Sequence, residues 1–295
     1  MSARPRPDLA GLSSRLGGSP LTRFAPSPTG YLHLGHVVNA IYVWGIARAL
    51  GGTVLLRIED HDRVRSRPIF EHAILEDLDW LGFVPDVGRS PVIRQSDHLS
   101  RYDDALQRLR KNHAVYACDC SRRRIGSERY GNTCRGRGLE EQTGRGLRVE
   151  IGPGIEHFVD GLVPGEHERA TDESGDLLIR DRDGHWTYQF AVVVDDEADQ
   201  VNLAIRGADL LDSTIRQIHL GRMLGRAVPG QFLHHPLLLR PSGQKLSKSS
   251  GDVGVRELRE AGTCAAEVIG RAAAEVGLQA SAHPIDATDV VRLFG

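Results

Sequence analysis

The sequence predicts an α/β protein built on a doubly wound parallel sheet, and three observations carry that expectation. Strand-like and helix-like segments alternate through residues 21–112, the order that parallel crossovers require. Residues 53–58 (TVLLRI) have the pattern of a strand buried in a sheet. The same texture returns after residue 175.

Taken in order, residues 1–20 (MSARPRPDLAGLSSRLGGSP) mix Arg, Pro, Gly and Ser without an apolar centre and predict a flexible tail, not a secretory signal. Residues 21–25 form a short strand, followed by the loop Pro26-Ser27-Pro28-Thr29-Gly30. Residues 34–50 carry apolar side chains at helical spacing and stop at Gly51-Gly52. After the strand at 53–58, Pro68 opens a helix that turns Phe70, Ile74, Leu78 and Leu81 to one face. A further helix covers residues 97–112. From 118 to about 175 Gly and Arg become frequent and apolar periodicity fades, apart from short strand-like pieces such as 155–159; this reads as an insertion. The α/β pattern resumes with residues 188–196 and a helix over 212–224.

Composition sets the partners. With 37 basic and 39 acidic residues the formal charge is −2, so any polyanion must meet a local patch. No apolar run reaches the roughly 18 to 20 residues of a membrane span, and a cytoplasmic protein is expected. Of the four cysteines, Cys118, Cys120 and Cys134 crowd together, which favours metal over disulfide in a chain read this way. Cys264 stands in an Ala-rich segment and is expected in the core.

Two short motifs carry the chemistry. His33-Leu34-Gly35-His36 falls where a helix begins after a strand, and a helix N-terminus offers unpaired N–H groups to phosphate. Lys245-Leu246-Ser247-Lys248-Ser249 lies in a Gly- and Ser-rich stretch, where two ammonium groups suit charge developing on a departing pyrophosphate. In that order they describe a pocket for ATP gripped from two sides.

These motifs, with Arg23-Phe24-Ala25-Pro26-Ser27-Pro28-Thr29-Gly30-Tyr31-Leu32 before the first, Arg57-Ile58-Glu59-Asp60, and Arg206-Gly207-Ala208-Asp209, resemble the catalytic core of class I glutamyl-tRNA synthetases over about residues 21–250. The resemblance implies a Rossmann-type sheet at 21–117 and 176–250, with a zinc-containing insertion at 118–175 and a short helical tail at 251–295. It implies that Arg23, Ala25, Ser27, Glu59, Tyr188 and Arg206 bind L-glutamate, with Glu59 on its ammonium and Arg206 on a carboxylate. His33, Gly35, His36, Lys245 and Lys248 would bind ATP, with His33, His36 and Lys248 serving catalysis and Mg2+ arriving with the nucleotide.

The chain ends 46 residues after Ser249. An anticodon-reading domain pair like that of the full-length enzymes is therefore not expected. Val192 stands where those enzymes usually have Asn. Both departures resemble the truncated paralogue family, the glutamyl-queuosine tRNA(Asp) synthetases, which implies transfer of glutamate to queuosine in tRNA(Asp). Three thiolates are an incomplete set for tetrahedral zinc, and spacing alone leaves His113, Asp119 and Tyr130 open as the fourth ligand; the paralogue resemblance implies Tyr130, beside Cys118, Cys120 and Cys134. Arg122, Arg123, Arg124, Arg129, Arg135 and Arg137 against the single acid Glu128 suggest an RNA-facing patch at residues 120–138. A monomer is expected. The alternatives are a discriminating glutamyl-tRNA synthetase core, a ligase joining an amino acid to a small amine, and a silent paralogue.

Overall fold

The computed structural model describes residues 6–125, 129–226, 230–238 and 254–295, the Arg122 side chain excepted. Strand β1 (Leu21–Phe24) pairs in parallel with β2 (Thr53–Ile58), and β2 with β3 (Ile93–Arg94). On the other side of β1 lies β9 (Leu203–Gly207), tied in by Asn202, whose side-chain oxygen accepts from the Leu21 N–H at 2.8 Å. Strand β9 in turn pairs in parallel with β10 (Gln231–His235). The order β3-β2-β1-β9-β10 reverses direction at β1, and such a reversal opens a crevice at the carboxyl ends of the strands.

Helix α2 (Leu34–Ala49) is apolar on almost every side because it is covered all round, by the sheet and by the C-terminal segment. At Gly45 a Cβ would meet the Phe294 ring at 2.2 Å, so only glycine permits that approach. Helix α3 (Pro68–Leu81) starts on its proline and ends at Gly82 in the left-handed conformation. A 3-10 turn (Gln95–His98) leads into α4 (Leu99–Asn112).

The inserted region is antiparallel. β4 (Val115–Cys118), β5 (Gly146–Val149) and β8 (Leu177–Arg180) form one sheet, slightly beyond the 118–175 expected, because β4 pairs with β5 before the first cysteine is reached. The short helix α5 (Arg122–Ile125) and the hairpin β6 (Ile155–Val159) with β7 (Glu166–Ala170) complete it. Helices α6 (Tyr188–Ala198) and α7 (Leu211–Met223) return the chain to the parallel sheet.

Two expectations need correction. The N-terminal segment is not a flexible tail from end to end: α1 (Leu9–Leu16) is capped by Asp8 and closed by Gly17, with Leu12 fully buried and Leu9 and Leu16 against the same core. Leucines at a helical spacing of three and four outweigh a composition that averages to a loop. Cys264 is exposed, not in the core, because it caps α9 (Ala265–Glu275), where its N–H donates to the Glu267 carboxylate at 2.8 Å. Helix α8 (Val255–Glu260) precedes it, and Ile269, Ala272 and Ala273 pack α9 against the main core. No helix among the described residues is long and apolar enough to cross a membrane.

Candidate active site

A cleft of about 890 Å3 opens at the carboxyl ends of β1 and β9, and it gathers Arg23, Ala25, Ser27, His33, Gly35, His36, Glu59, Tyr188 and Arg206. These are all the expected glutamate and ATP residues except Lys245 and Lys248, which lie outside the described residues. Described residues on either side of them meet the cleft. Leu238 lines it, and Gly254 bridges to His33 while the Val255 N–H donates to the Leu32 carbonyl at 2.9 Å.

His33 and His36 form the cap of α2. The Gly35 N–H donates to His33 Nδ1 and the His33 N–H to His36 Nδ1, each at 3.1 Å, with ring centroids 4.0 Å apart. Because both Nδ1 atoms accept from backbone, each neutral ring carries its proton on Nε2. Both imidazoles are thus fixed as Nε2 donors at a helix N-terminus, which is chemistry suited to phosphate oxygens.

The floor is a buried ion network. Arg57, 1% exposed, donates to Glu59 at 3.0 Å, Asp196 at 2.8 Å and Asp199 at 3.0 Å. Arg23 shares Asp196 at 3.1 Å, and Arg101 shares Asp199 at 2.8 Å. Burial opposes the charge on Arg57, but the surrounding carboxylates outweigh it and hold its pKa well above the ordinary value. Asp196 is likewise held ionised below the usual range, since Arg23 and Arg57 overcome its burial. Its neighbour Asp195 goes the other way: burial pushes its carboxyl up despite Arg57 and the donors Tyr102 and Gln95.

Arg206 is treated differently. It is 5% exposed, yet among the described residues its guanidinium donates to neutral acceptors, including His234 Nε2 at 3.0 Å, Thr214 Oγ1 at 2.7 Å, Gln217 Oε1 at 2.5 Å and the Leu210 carbonyl. No carboxylate among the described residues lies within ion-pair distance of it. Burial accordingly lowers its pKa, and burial raises that of Tyr188, whose ring faces the same space. An oriented, buried cation without a counter-ion is suited to an anionic ligand.

Sequence reading assigned no role to Arg57, Asp195, Asp196, Asp199, Asn39 or His235. Asn39 and His235 line the cleft, with Asn39 Nδ2 at 3.0 Å from His235 Nε2. One signal was available: two consecutive aspartates end the apolar run Phe190–Val194, where a buried charge demands a partner.

The second cluster is sulfur. The ligating atoms of Cys118, Cys120 and Cys134 lie within 4.8 Å of one another, and all three residues are buried. Tyr130 Oη is 3.5 Å from Cys118 Sγ and accepts the Cys134 N–H at 3.1 Å, so it borders the cluster. Asp119 Oδ1 also approaches Cys134 Sγ, at 3.2 Å, while His113 does not join the group. Arg148 lies 3.6 Å over the Tyr130 ring, and its Nε donates to Cys118 Sγ at 3.3 Å. Burial raises the Cys118 pKa, but the hydrogen bonds from Tyr130 and Arg148 outweigh it and favour the thiolate. The donor set fits a metal.

The basic patch is smaller than its residue count. Arg135 is paired with Asp176 and Glu150, Arg137 with Asp119, and Arg129 lies 3.7 Å from Asp172. Arg123 and Arg124 remain exposed.

Fold, motif order and cleft define an aminoacyl-adenylate-forming ligase, and comparison places it. Residues 21–279 match the class I tRNA synthetase (E and Q) catalytic domain, and the chain belongs to that family. It is 39% identical to a glutamyl-Q tRNA(Asp) synthetase of Symbiobacterium thermophilum, over 92% of this chain and 91% of that one. It is also 40% identical to a glutamate–tRNA ligase 2 of Acidithiobacillus ferrooxidans, over 83% of this chain but 55% of that one. Among solved structures, a glutamate tRNA ligase of Elizabethkingia meningosepticum in complex with its amino acid matches with a TM-score of 0.76 and 26% identity, covering 93% of this chain and 64% of the other.

Proposed function

We propose that the protein activates L-glutamate with ATP and transfers the glutamyl group to queuosine in tRNA(Asp). The observation that carries glutamate is the presence, in one cleft, of Arg206, with no carboxylate among the described residues within ion-pair distance, and of the Glu59 carboxylate. Glutamate brings two carboxylates and one ammonium. Arg206 and Arg23 offer guanidinium to the former, Glu59 accepts from the latter, and Tyr188, Ala25 and Ser27 close the surround. His33 and His36 donate from Nε2 to ATP phosphates. Lys245 and Lys248 neutralise the departing pyrophosphate, and Mg2+ accompanies the nucleotide.

A substrate carboxylate is already ionised at neutral pH and attacks the α-phosphate without a general base, so positioning and charge carry the step. A ring hydroxyl of queuosine then attacks the mixed anhydride and releases AMP. Cys118, Cys120, Cys134 and Tyr130 would hold zinc, which when bound supplies a structural crosslink of the insertion.

Queuosine as acceptor draws support from the near end-to-end match to relatives named glutamyl-Q tRNA(Asp) synthetase. The match to a glutamate–tRNA ligase 2 favours tRNA(Glu) as the second reading. Labelled glutamate with ATP is offered to queuosine-bearing tRNA(Asp), unmodified tRNA(Asp) and tRNA(Glu). Label on the first alone is expected; label on tRNA(Glu) would replace the proposed acceptor.

A further inference from the structure

The unneutralised charge of Arg206 raises the question of what holds the guanidinium still. Its Nε donates to His234 Nε2 at 3.0 Å, an interaction open only to a ring protonated on Nδ1. Asp160 Oδ2 lies 2.6 Å from that Nδ1, and the side chains of both residues are 0% exposed. The other oxygen, Oδ1, accepts backbone N–H groups from Leu162 and Val163 at 2.8 Å each and from His234 itself at 3.3 Å. All of these donors are backbone amides, so they fix the carboxylate as an acceptor, and it in turn fixes the ring tautomer. A His234 turned to the other tautomer would set N–H against N–H at Arg206.

Asp160 belongs to the inserted region, directly after β6. Its neighbour Gly161 donates its N–H to the Phe232 carbonyl at 2.8 Å, which pins the insertion to β10. Thus a residue outside the parallel sheet sets the orientation of a side chain inside the cleft.

We propose that Asp160 and His234 are positioning residues for Arg206, locking one imidazole tautomer so that the guanidinium faces the substrate carboxylate with its charge intact. The inference rests on the reading that Arg206 binds glutamate. Neither residue lines the cleft, so their effect on it runs through Arg206. Gln217 and Thr214 also accept from the guanidinium, but Thr214 Oγ1 lies 3.1 Å from the same His234 Nε2, so its hydrogen bonds follow the ring as well.

The test is the split between glutamate and ATP in the KM values of glutamate-dependent ATP–pyrophosphate exchange, measured on the whole protein with tRNA present. His234→Leu is expected to raise the glutamate KM about 10- to 150-fold, the range for a lost hydrogen bond to a charged group, with the ATP KM within about twofold. His234→Gln, whose side-chain oxygen takes the place of Nε2 as acceptor, is expected to restore most of the loss. Asp160→Asn keeps the volume but places an amide N–H against either the ring nitrogen or the backbone donors, and should behave like His234→Leu. It carries the test even where the leucine variant does not fold. A glutamate KM unmoved in His234→Leu and Asp160→Asn, a parallel rise for ATP, or a glutamine variant no better than leucine overturns the proposal. Arg206→Gln separates the two layers. If it leaves the glutamate KM unchanged, the reading of Arg206 falls and the positioning role with it. If it raises that KM strongly while both His234→Leu and Asp160→Asn are silent, only the positioning role falls.

Discussion

Replacing Glu59 by Gln isolates the charge that the proposed ammonium contact needs. Glu59 is 4% exposed and accepts from Arg57 at 3.0 Å; the glutamine carbonyl can keep that hydrogen bond. Arg57 retains Asp196 and Asp199 at 2.8 and 3.0 Å, so the buried guanidinium is still neutralised and the fold should lose only about 1 kcal/mol. A substrate ammonium has no such reserve. At about 4 Å and an effective dielectric near 20, the lost attraction is about 4 kcal/mol before desolvation is deducted. Charged hydrogen bonds net about 1.5 to 3 kcal/mol, or about 10- to 150-fold in the glutamate KM. Pyrophosphate exchange at varied glutamate gives that ratio, and urea unfolding reports the fold. A glutamate KM within about twofold of the parent, with normal stability, would refute the assignment of Glu59 to the ammonium.

Asp77 offers a pH test. Burial pushes its carboxyl from the ordinary 3.8 up to about 6, and Oδ2 has no hydrogen-bond partner. A carboxyl raised in the folded state favours folding fully below pH 3.8 and loses that contribution as pH rises through 6. The charged form therefore costs up to about 3 kcal/mol at neutral pH, and Asp77→Asn should raise the urea midpoint at pH 7.5 while the gain shrinks towards pH 5. His36→Ala removes the acceptor of the His33 N–H, which should cost about 1 kcal/mol in stability and raise the ATP KM more than the glutamate KM. Metal analysis of the purified protein should find one zinc per chain, lost in Cys134→Ser together with part of the thermal stability; a metal-free parent of unchanged stability would remove zinc from the account.

Segments whose structure is local were legible. Gly51-Gly52 ends α2, Pro68 opens α3, and the strand pattern at 53–58 is β2, because each signal acts within a turn of the residue that carries it. Gathering the cleft residues was legible only through motif resemblance. Features made by distant segments were not. The Arg57 network joins residues 23, 57, 59, 101, 196 and 199, and the contact of Asp160 with His234 spans 74 positions. No periodicity encodes such pairs. The α1 helix failed for the opposite reason: its three leucines were visible, but composition over 20 residues diluted them.

The two buried arginines show how one side chain serves two ends. Arg57 is surrounded by carboxylates, so its charge is consumed inside the protein and it can only stiffen the floor. Arg206 is oriented by an imidazole, an amide and a hydroxyl, which fix direction but leave the charge in place. Arg23 is already paired with Asp196 and Glu59 with Arg57, whereas no carboxylate among the described residues lies within ion-pair distance of Arg206. If, as proposed, Arg206 takes the side-chain carboxylate of glutamate, the neutral amide of glutamine would leave a buried guanidinium unneutralised, a penalty that shape alone could not impose on so similar a molecule. Discrimination between the two amino acids would then depend on keeping carboxylates away from Arg206. A nearby residue changed to Asp or Glu, such as Gln217→Glu, would neutralise it at 2.5 Å and should narrow the preference for glutamate even though every hydrogen bond to Arg206 survives.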